Sequence, residues 1–186
     1  MKPVEHFDEL FLLFLVQYAQ PGLLMLMETT VATKNAKVLA SGEGQRLQSG
    51  PGRDLIFKVT GEDTGGAFDY FIVQVAPGGG PPLHVHHTQE ETIHILKGRY
   101  KVRIGDEIYH LDEGGFAYLP SNLPHAFLNL TDQPGDIIVV YTPGGGNKFY
   151  EEFGPIARNG PPDPKTVGPI FAKYDMTLLG PPLTPD

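Results

Sequence analysis

The chain has 186 residues, enough for one domain with a real core and too few for two comfortable ones. Hydrophobic residues make up 40% and charged residues 19%, a globular balance and not a disordered one. Acidic residues outnumber basic ones 22 to 14, a formal net charge of -8, so nucleic acid and anionic membrane are poor partners. The absence of Cys excludes disulfide scaffolds, thiolate zinc sites and cysteine nucleophiles.

The first 44 residues read as an extension. Asp8 to Ala19 is a candidate helix, stopped by Pro21-Gly22. Its apolar run, Leu10 to Val16, is far shorter than the ~20 residues that span a bilayer. Glu5, Asp8 and Glu9 against one Lys2 make a weak signal peptide, which leaves a membrane or export role as the lesser reading. The segment is expected to be an amphipathic helix packed on the domain or on a partner, or to reflect a mis-called start with Met25 or Met27 as the true one. The expected location is the cytoplasm.

Ser41 to Gly52 is Gly-rich and polar, and reads as loop. From Arg53 the pattern changes to short apolar runs between turn residues. Gly (23) and Pro (18) are abundant, which suits short strands and works against long helices. Strands are expected at Asp54–Val59, Ala67–Val75, Thr92–Lys97, Arg99–Ile104, Glu107–His110, Gly115–Leu119, His125–Asn129 and Asp136–Tyr141. Runs this short at this spacing predict an antiparallel sandwich or barrel over residues 45–146. Residues 147–186 are expected to add two short helices, Asn147–Phe153 and Thr166–Tyr174, and a loose Pro-rich tail from Gly180. Along Phe68–Val75, one face carries Phe68, Tyr70 and Ile72 and the other Phe71, Val73 and Val75. A strand apolar on both faces needs a cover on both, so the extension or a second subunit is expected there, and a homodimer with it.

The chemistry sits in the histidines. His84 and His86 are two apart, so on an extended strand both point to one face. Glu91 follows five residues later, and His125 comes after Pro124 at the start of another strand. If those strands face each other, three imidazoles and one carboxylate converge, a donor set that suits one divalent transition metal such as iron, manganese, nickel, cobalt, copper or zinc. His87 points the other way and is expected at the surface or behind the ligands. By strand parity His94 falls opposite Glu91, in packing or at an interface, and His110 before a turn is expected to be exposed. Glu90 competes with Glu91 as the carboxylate. Asn129 and Phe127 share the face of His125. Asn129 then either bonds behind the ligands or satisfies a turn, and Phe127 either walls a pocket or packs in the core. Gly78-Gly79-Gly80 and Gly144-Gly145-Gly146 lack the Lys-Ser/Thr that a phosphate loop needs, and no Gly-x-Ser-x-Gly elbow occurs.

Gly78-x5-His84-x-His86-x4-Glu91-x6-Gly98 resembles the first motif of the cupin superfamily. Gly114-x5-Pro120-x-Asn122-x2-His125-x3-Asn129 is similar to the second, with Asn122 where the pattern has Gly. Fifteen residues separate Gly98 from Gly114, as in short bacterial single-domain members. Thr60–Ala67 and Pro77–Pro82 resemble the single-domain quercetin 2,3-dioxygenase-like cupins. The resemblance spans roughly residues 45–175. It implies a double-stranded β-helix (a jelly roll) with short terminal helices. It also implies metal ligation by His84, His86, Glu91 and His125, where the spacing to Gly98 favours Glu91 over Glu90. Asn tolerates the positive φ that the motif's Gly provides.

The expected function is that of a metal-dependent oxidoreductase of the dioxygenase type. Its substrate would be a small oxygen-chelating molecule, flavonol- or dicarbonyl-like, with dioxygen alongside and Glu91 doubling as base. A metal-dependent isomerase or decarboxylase and a non-catalytic small-molecule binding module are the alternatives.

Overall fold

The computed structural model describes residues 36–185. The expected helix at Asp8–Ala19 and nearly all of the 1–44 extension lie outside those residues. Eleven strands follow in order: β1 (Gln45–Gln48), β2 (Arg53–Val59), β3 (Asp69–Val75), β4 (Pro82–His86), β5 (Glu90–Lys97), β6 (Tyr100–Ile104), β7 (Glu107–Leu111), β8 (Phe116–Leu119), β9 (His125–Asn129), β10 (Gly135–Thr142) and β11 (Met176–Pro182). A one-turn helix, α1 (Gly61–Thr64), follows β2, and α2 (Gly146–Ala157) and α3 (Pro164–Lys173) lie between β10 and β11.

The strands form two antiparallel sheets, β1-β2-β3-β10-β5-β8 and β11-β4-β9-β6-β7. This is the jelly roll. Alternation along each strand sends every second side chain inward. Phe57, Phe71, Val73, Val75, Ile93, Ile95, Val102, Ile137 and Val139 fill the space between the sheets, and Phe57 stacks on Phe71 at 4.3 Å between ring centroids. Each such side chain contributes about 1.5–3 kcal/mol by leaving water. On β3 the buried face is Phe71, Val73 and Val75, while Tyr70 and Ile72 on the other face are half-buried.

Three strands depart from the sequence expectation. β1 lies in the stretch read as loop, because Gln45-Arg46-Leu47-Gln48 is a polar edge strand with little to bury. β4 was not among the expected strands, because its inward residues are His84 and His86 and no apolar periodicity marks it. β11 overturns the loose tail through Pro182: Met176, Thr177 and Leu178 pair with His86, Val85 and His84. Gly180-Pro181-Pro182 is tolerated because β11 is an edge strand, where a missing N–H leaves no gap in the ladder.

The helices begin earlier than expected. Asp163 caps α3 by accepting the Lys165 N–H at 2.9 Å, and Pro164 fits the first turn, where no N–H is required. Helix α2 is held by Asp69, a fully buried carboxylate that accepts the N–H groups of Gly61, Gly145 and Gly146 at 2.5, 2.9 and 2.7 Å. Burial raises the Asp69 carboxyl pKa against the pull of those three donors. Gly80 lets the chain pass against β9: a Cβ there would lie 1.8 Å from the Phe127 carbonyl oxygen. Among the described residues no helix is long and apolar enough to cross a membrane.

Candidate metal centre

Strands β4, β5 and β9 supply one inward cluster. His84 is the register partner of His125, and Glu91 opens the buried face of β5 opposite Tyr141 of β10. One ligand atom each from His84, His86, Glu91 and His125 falls within 4.8 Å of all the others, and all four residues are buried. Glu91 Oε2 lies 3.1 Å from His125 Nε2 and 3.9 Å from His86 Nε2.

The backbone decides which nitrogen of each ring faces the centre. His84 Nδ1 lies 2.8 Å from the Pro82 carbonyl and His125 Nδ1 lies 2.9 Å from the Leu123 carbonyl. A carbonyl only accepts, so both Nδ1 atoms carry the proton and both Nε2 atoms face inward. His86 is fixed by a longer chain. The Gln89 amide donates from Nε2 to the Pro143 carbonyl at 2.7 Å, which turns its Oε1 toward His86 Nδ1 at 2.9 Å. His86 Nε2 is then a buried acceptor with no hydrogen-bond partner. An unsatisfied buried lone pair costs about 1–3 kcal/mol, and a cation at the centre of the cluster would satisfy it. The residues therefore fit a divalent ion.

Electrostatics favours the same occupant. Burial, with the neighbouring His125 and His86, holds the His84 imidazole well below its ordinary pKa, and Arg53 adds to the effect. Burial pushes His86 down to about 4 against the attraction of Glu91. Burial also acts to lower His125, but the hydrogen bond and charge of Glu91 outweigh it and raise the value. Two imidazoles are thus held neutral and ready to donate, and the third lies at hydrogen-bond distance from the Glu91 carboxylate.

The other expected residues divide clearly. His94 is exposed on the opposite face of β5, beside Phe116, and Glu90 is exposed next to the buried Glu91. The His87 ring bridges Asn122 Oδ1 and Thr177 Oγ1 at the surface. Asn122 has φ +64°; its N–H donates to the His86 carbonyl at 2.7 Å and its amide nitrogen to the His87 carbonyl at 2.9 Å. A glycine would provide the turn without that second tie between the loop ahead of β9 and the end of β4. Asn129 serves a turn: its amide donates to the Val75 and Gln133 carbonyls, and its oxygen accepts from Thr131. Its polar atoms are spent away from the ligands. Phe127 packs in the core and lines a small cavity of about 30 Å³ together with His84 and Glu91.

That cavity holds side chains the sequence did not single out. Tyr141 of β10 and Tyr150 of α2 meet there, hydroxyl to hydroxyl at 2.9 Å, and Arg53 and Ser49 line the same space. Burial raises both phenols, Tyr150 to about 12 and Tyr141 further, so both are protonated and can donate. Their positions depend on long-range pairing that no local pattern encodes. Gln89 was not singled out either, because its role depends on the Pro143 carbonyl 54 residues away.

The cupin domain family matches residues 71–141. Over 90 residues, 48% of this chain, the sequence is 32% identical to the quercetin 2,3-dioxygenase of Bacillus subtilis (strain 168), and the match covers 26% of that protein. The chain thus spans about a quarter of the length of that relative. KdgF from Halomonas sp. matches in structure with a TM-score of 0.55 at 15% identity, over 61% of this chain and 99% of that one. A predicted oxalate decarboxylase from Thermotoga maritima matches with a TM-score of 0.51 at 18% identity, over 57% and 98%. At those identities the shared property is the fold. Both histidine motifs converge on one point inside that jelly roll, and residues 71–141 are a cupin domain.

Proposed function

We propose that the protein is a metal-dependent oxidoreductase of the dioxygenase type, acting on a small organic substrate with adjacent oxygen atoms, flavonol- or 1,3-dicarbonyl-like, together with dioxygen. The observation that carries the reading is the buried set of three inward Nε2 atoms and one carboxylate, with His86 Nε2 unsatisfied. A divalent transition ion held by these four residues would supply Lewis acidity and leave positions free for substrate oxygens. The chain supplies the rest. The Pro82, Leu123 and Gln89 oxygens hold the three rings in one tautomer. Glu91 Oε2 lies 3.1 Å from His125 Nε2 and is placed to accept a proton from a substrate hydroxyl. Leu55, Phe71, Val73, Phe127 and Val139 wall the cavity and exclude water. The likeness to a quercetin 2,3-dioxygenase over 90 residues supports the same reading.

The Tyr141–Tyr150 pair favours a second reading. Two protonated phenols beside a carboxylate form an acid–base set suited to an isomerase or decarboxylase that needs no oxygen. Oxygen uptake by iron-, manganese- and nickel-loaded protein over a panel of flavonols and 1,3-dicarbonyls separates the two. Uptake with any pair supports the dioxygenase. Substrate loss under nitrogen supports the second reading, and silence from folded, metallated protein in every combination overturns both.

A further inference from the structure

Arg53, at the start of β2, is only 9% exposed. Among the described residues its guanidinium bonds to Ser49: Nε donates to the Ser49 hydroxyl at 2.5 Å and a terminal nitrogen to the Ser49 carbonyl. Among the described residues no carboxylate lies within ion-pair distance of it. A buried cation without a counter-charge costs several kcal/mol, and a neutral serine does not offset that. A guanidinium has five N–H donors, and Ser49 takes two of them.

Its position gives the remaining donors a use. Arg53 and Ser49 line the inner cavity with His84 and Glu91, and they also line a larger apolar cleft walled by Phe153, Val167, Phe171 and Leu178. Arg53 therefore stands where the cleft meets the metal centre. It is near enough to His84 for its charge to act on that ring. With a divalent ion in place, the inner cavity carries two positive centres against the single carboxylate of Glu91.

We infer that Arg53 is a specificity-determining residue that binds a carboxylate or similar oxyanion on the substrate, while the substrate's apolar body lies in the cleft. The ligand class is a small amphiphilic organic acid whose chelating oxygens are separate from its anionic group. The inference rests on the metal-centre reading for where the chelating end goes. The planar fork of Arg53 can take both carboxylate oxygens, and Ser49 holds it in plane.

Two probes that differ only in charge test this: 3,4-dihydroxybenzoate and 3,4-dihydroxybenzamide, which share one chelating catechol. Their dissociation constants are measured by calorimetry on metal-loaded and metal-free protein, with metal content determined on the same samples. Wild type is expected to bind the acid at least about tenfold more tightly than the amide, a difference of roughly 1.4 kcal/mol. Arg53→Gln should erase that preference while leaving the amide constant and the metal content unchanged. Arg53→Lys should keep part of it, and serves if the Gln variant does not fold. Equal affinity of wild type for acid and amide overturns the inference, as does parallel loss of both ligands in a metallated Arg53→Gln. Wild-type protein that takes up no metal yet still prefers the acid overturns the metal-centre reading and leaves Arg53 as the anion site.

Discussion

His84 on β4 and His125 on β9 are direct register partners across the two strands, and their rings meet edge to face at 4.5 Å between centroids. The pairing joins the two histidine-bearing motifs, 41 positions apart in the chain, through one point of contact in the sheet. Their approach is held from outside by carbonyl oxygens rather than by attraction between the rings. Removing either ring should therefore cost metal and leave the barrel intact.

His84→Ala and His125→Ala are each expected to lose nearly all bound metal while keeping wild-type circular dichroism. Glu91→Gln should weaken metal binding and leave His125 without its charged partner. His94→Ala should retain full metal content, because that ring lies exposed on the other face of β5. Elemental analysis of the four purified variants checks this, and equal metal loss from His94→Ala and His84→Ala would contradict the face assignment.

Gln89 acts on the ion only through His86. Gln89→Ala frees the His86 ring to rotate and to change tautomer. Loss of such a partner typically lowers metal affinity by about 10- to 100-fold. Competition against a chromophoric chelator measures it. Gln89→Glu should restore only part of the affinity, since a carboxylate oxygen accepts from His86 Nδ1 as the amide oxygen does but cannot donate to the Pro143 carbonyl. Unchanged affinity in Gln89→Ala would show that packing alone holds the ring.

The metal-free protein should lose stability as the pH falls. His84 and His86 have native pKa values below the ordinary 6.5, His86 at about 4. Below 6.5 the unfolded chain takes up protons on these rings and the native state does not. Their contribution is therefore present above 6.5 and is lost as the pH drops toward 4, at up to about 1.4 kcal/mol per pH unit for each ring. His125 has the opposite sign, because Glu91 holds its native value up. Its contribution is present below 6.5 and fades above it. Urea unfolding of chelator-treated protein across this range should show the fall, and a flat profile would mean that the imidazoles are not buried as described.

Asp69 links the sheet to the helix that carries Tyr150. Asp69→Asn replaces an acceptor by a donor that faces the glycine N–H groups, at a cost of about 1–3 kcal/mol. The denaturation midpoint should fall without a change in slope. An unchanged midpoint would show that the three N–H groups find other partners.

How much was legible depended on what each residue had to do locally. The inward alternation of Phe71, Val73 and Val75 marks β3 because apolar burial leaves a period of two. The spacing of His84, His86 and Glu91 was equally readable, since it follows from strand geometry and a short turn. β4 itself was obscured because its buried residues are polar, and β11 because Gly180-Pro181-Pro182 reads as loop. The choice of Glu91 over Glu90 agrees with the burial of one and the exposure of its neighbour. Asn129 shares the face of His125 but lies at the far end of β9, where the turn claims it. Arg53, Tyr141 and Tyr150 reach the cavity from three elements, and local sequence carries no record of that convergence.

The central claim is that one ion sits among three inward Nε2 atoms and one carboxylate. X-ray absorption at the metal edge, on protein loaded with one equivalent of iron, nickel or zinc, tests it most directly. The account predicts a first shell of three imidazole nitrogens and at least one oxygen at about 2.0–2.2 Å for zinc, with the imidazole signal reduced in His84→Ala. A spectrum of oxygen ligands alone, or one that His84→Ala leaves unchanged, would contradict it.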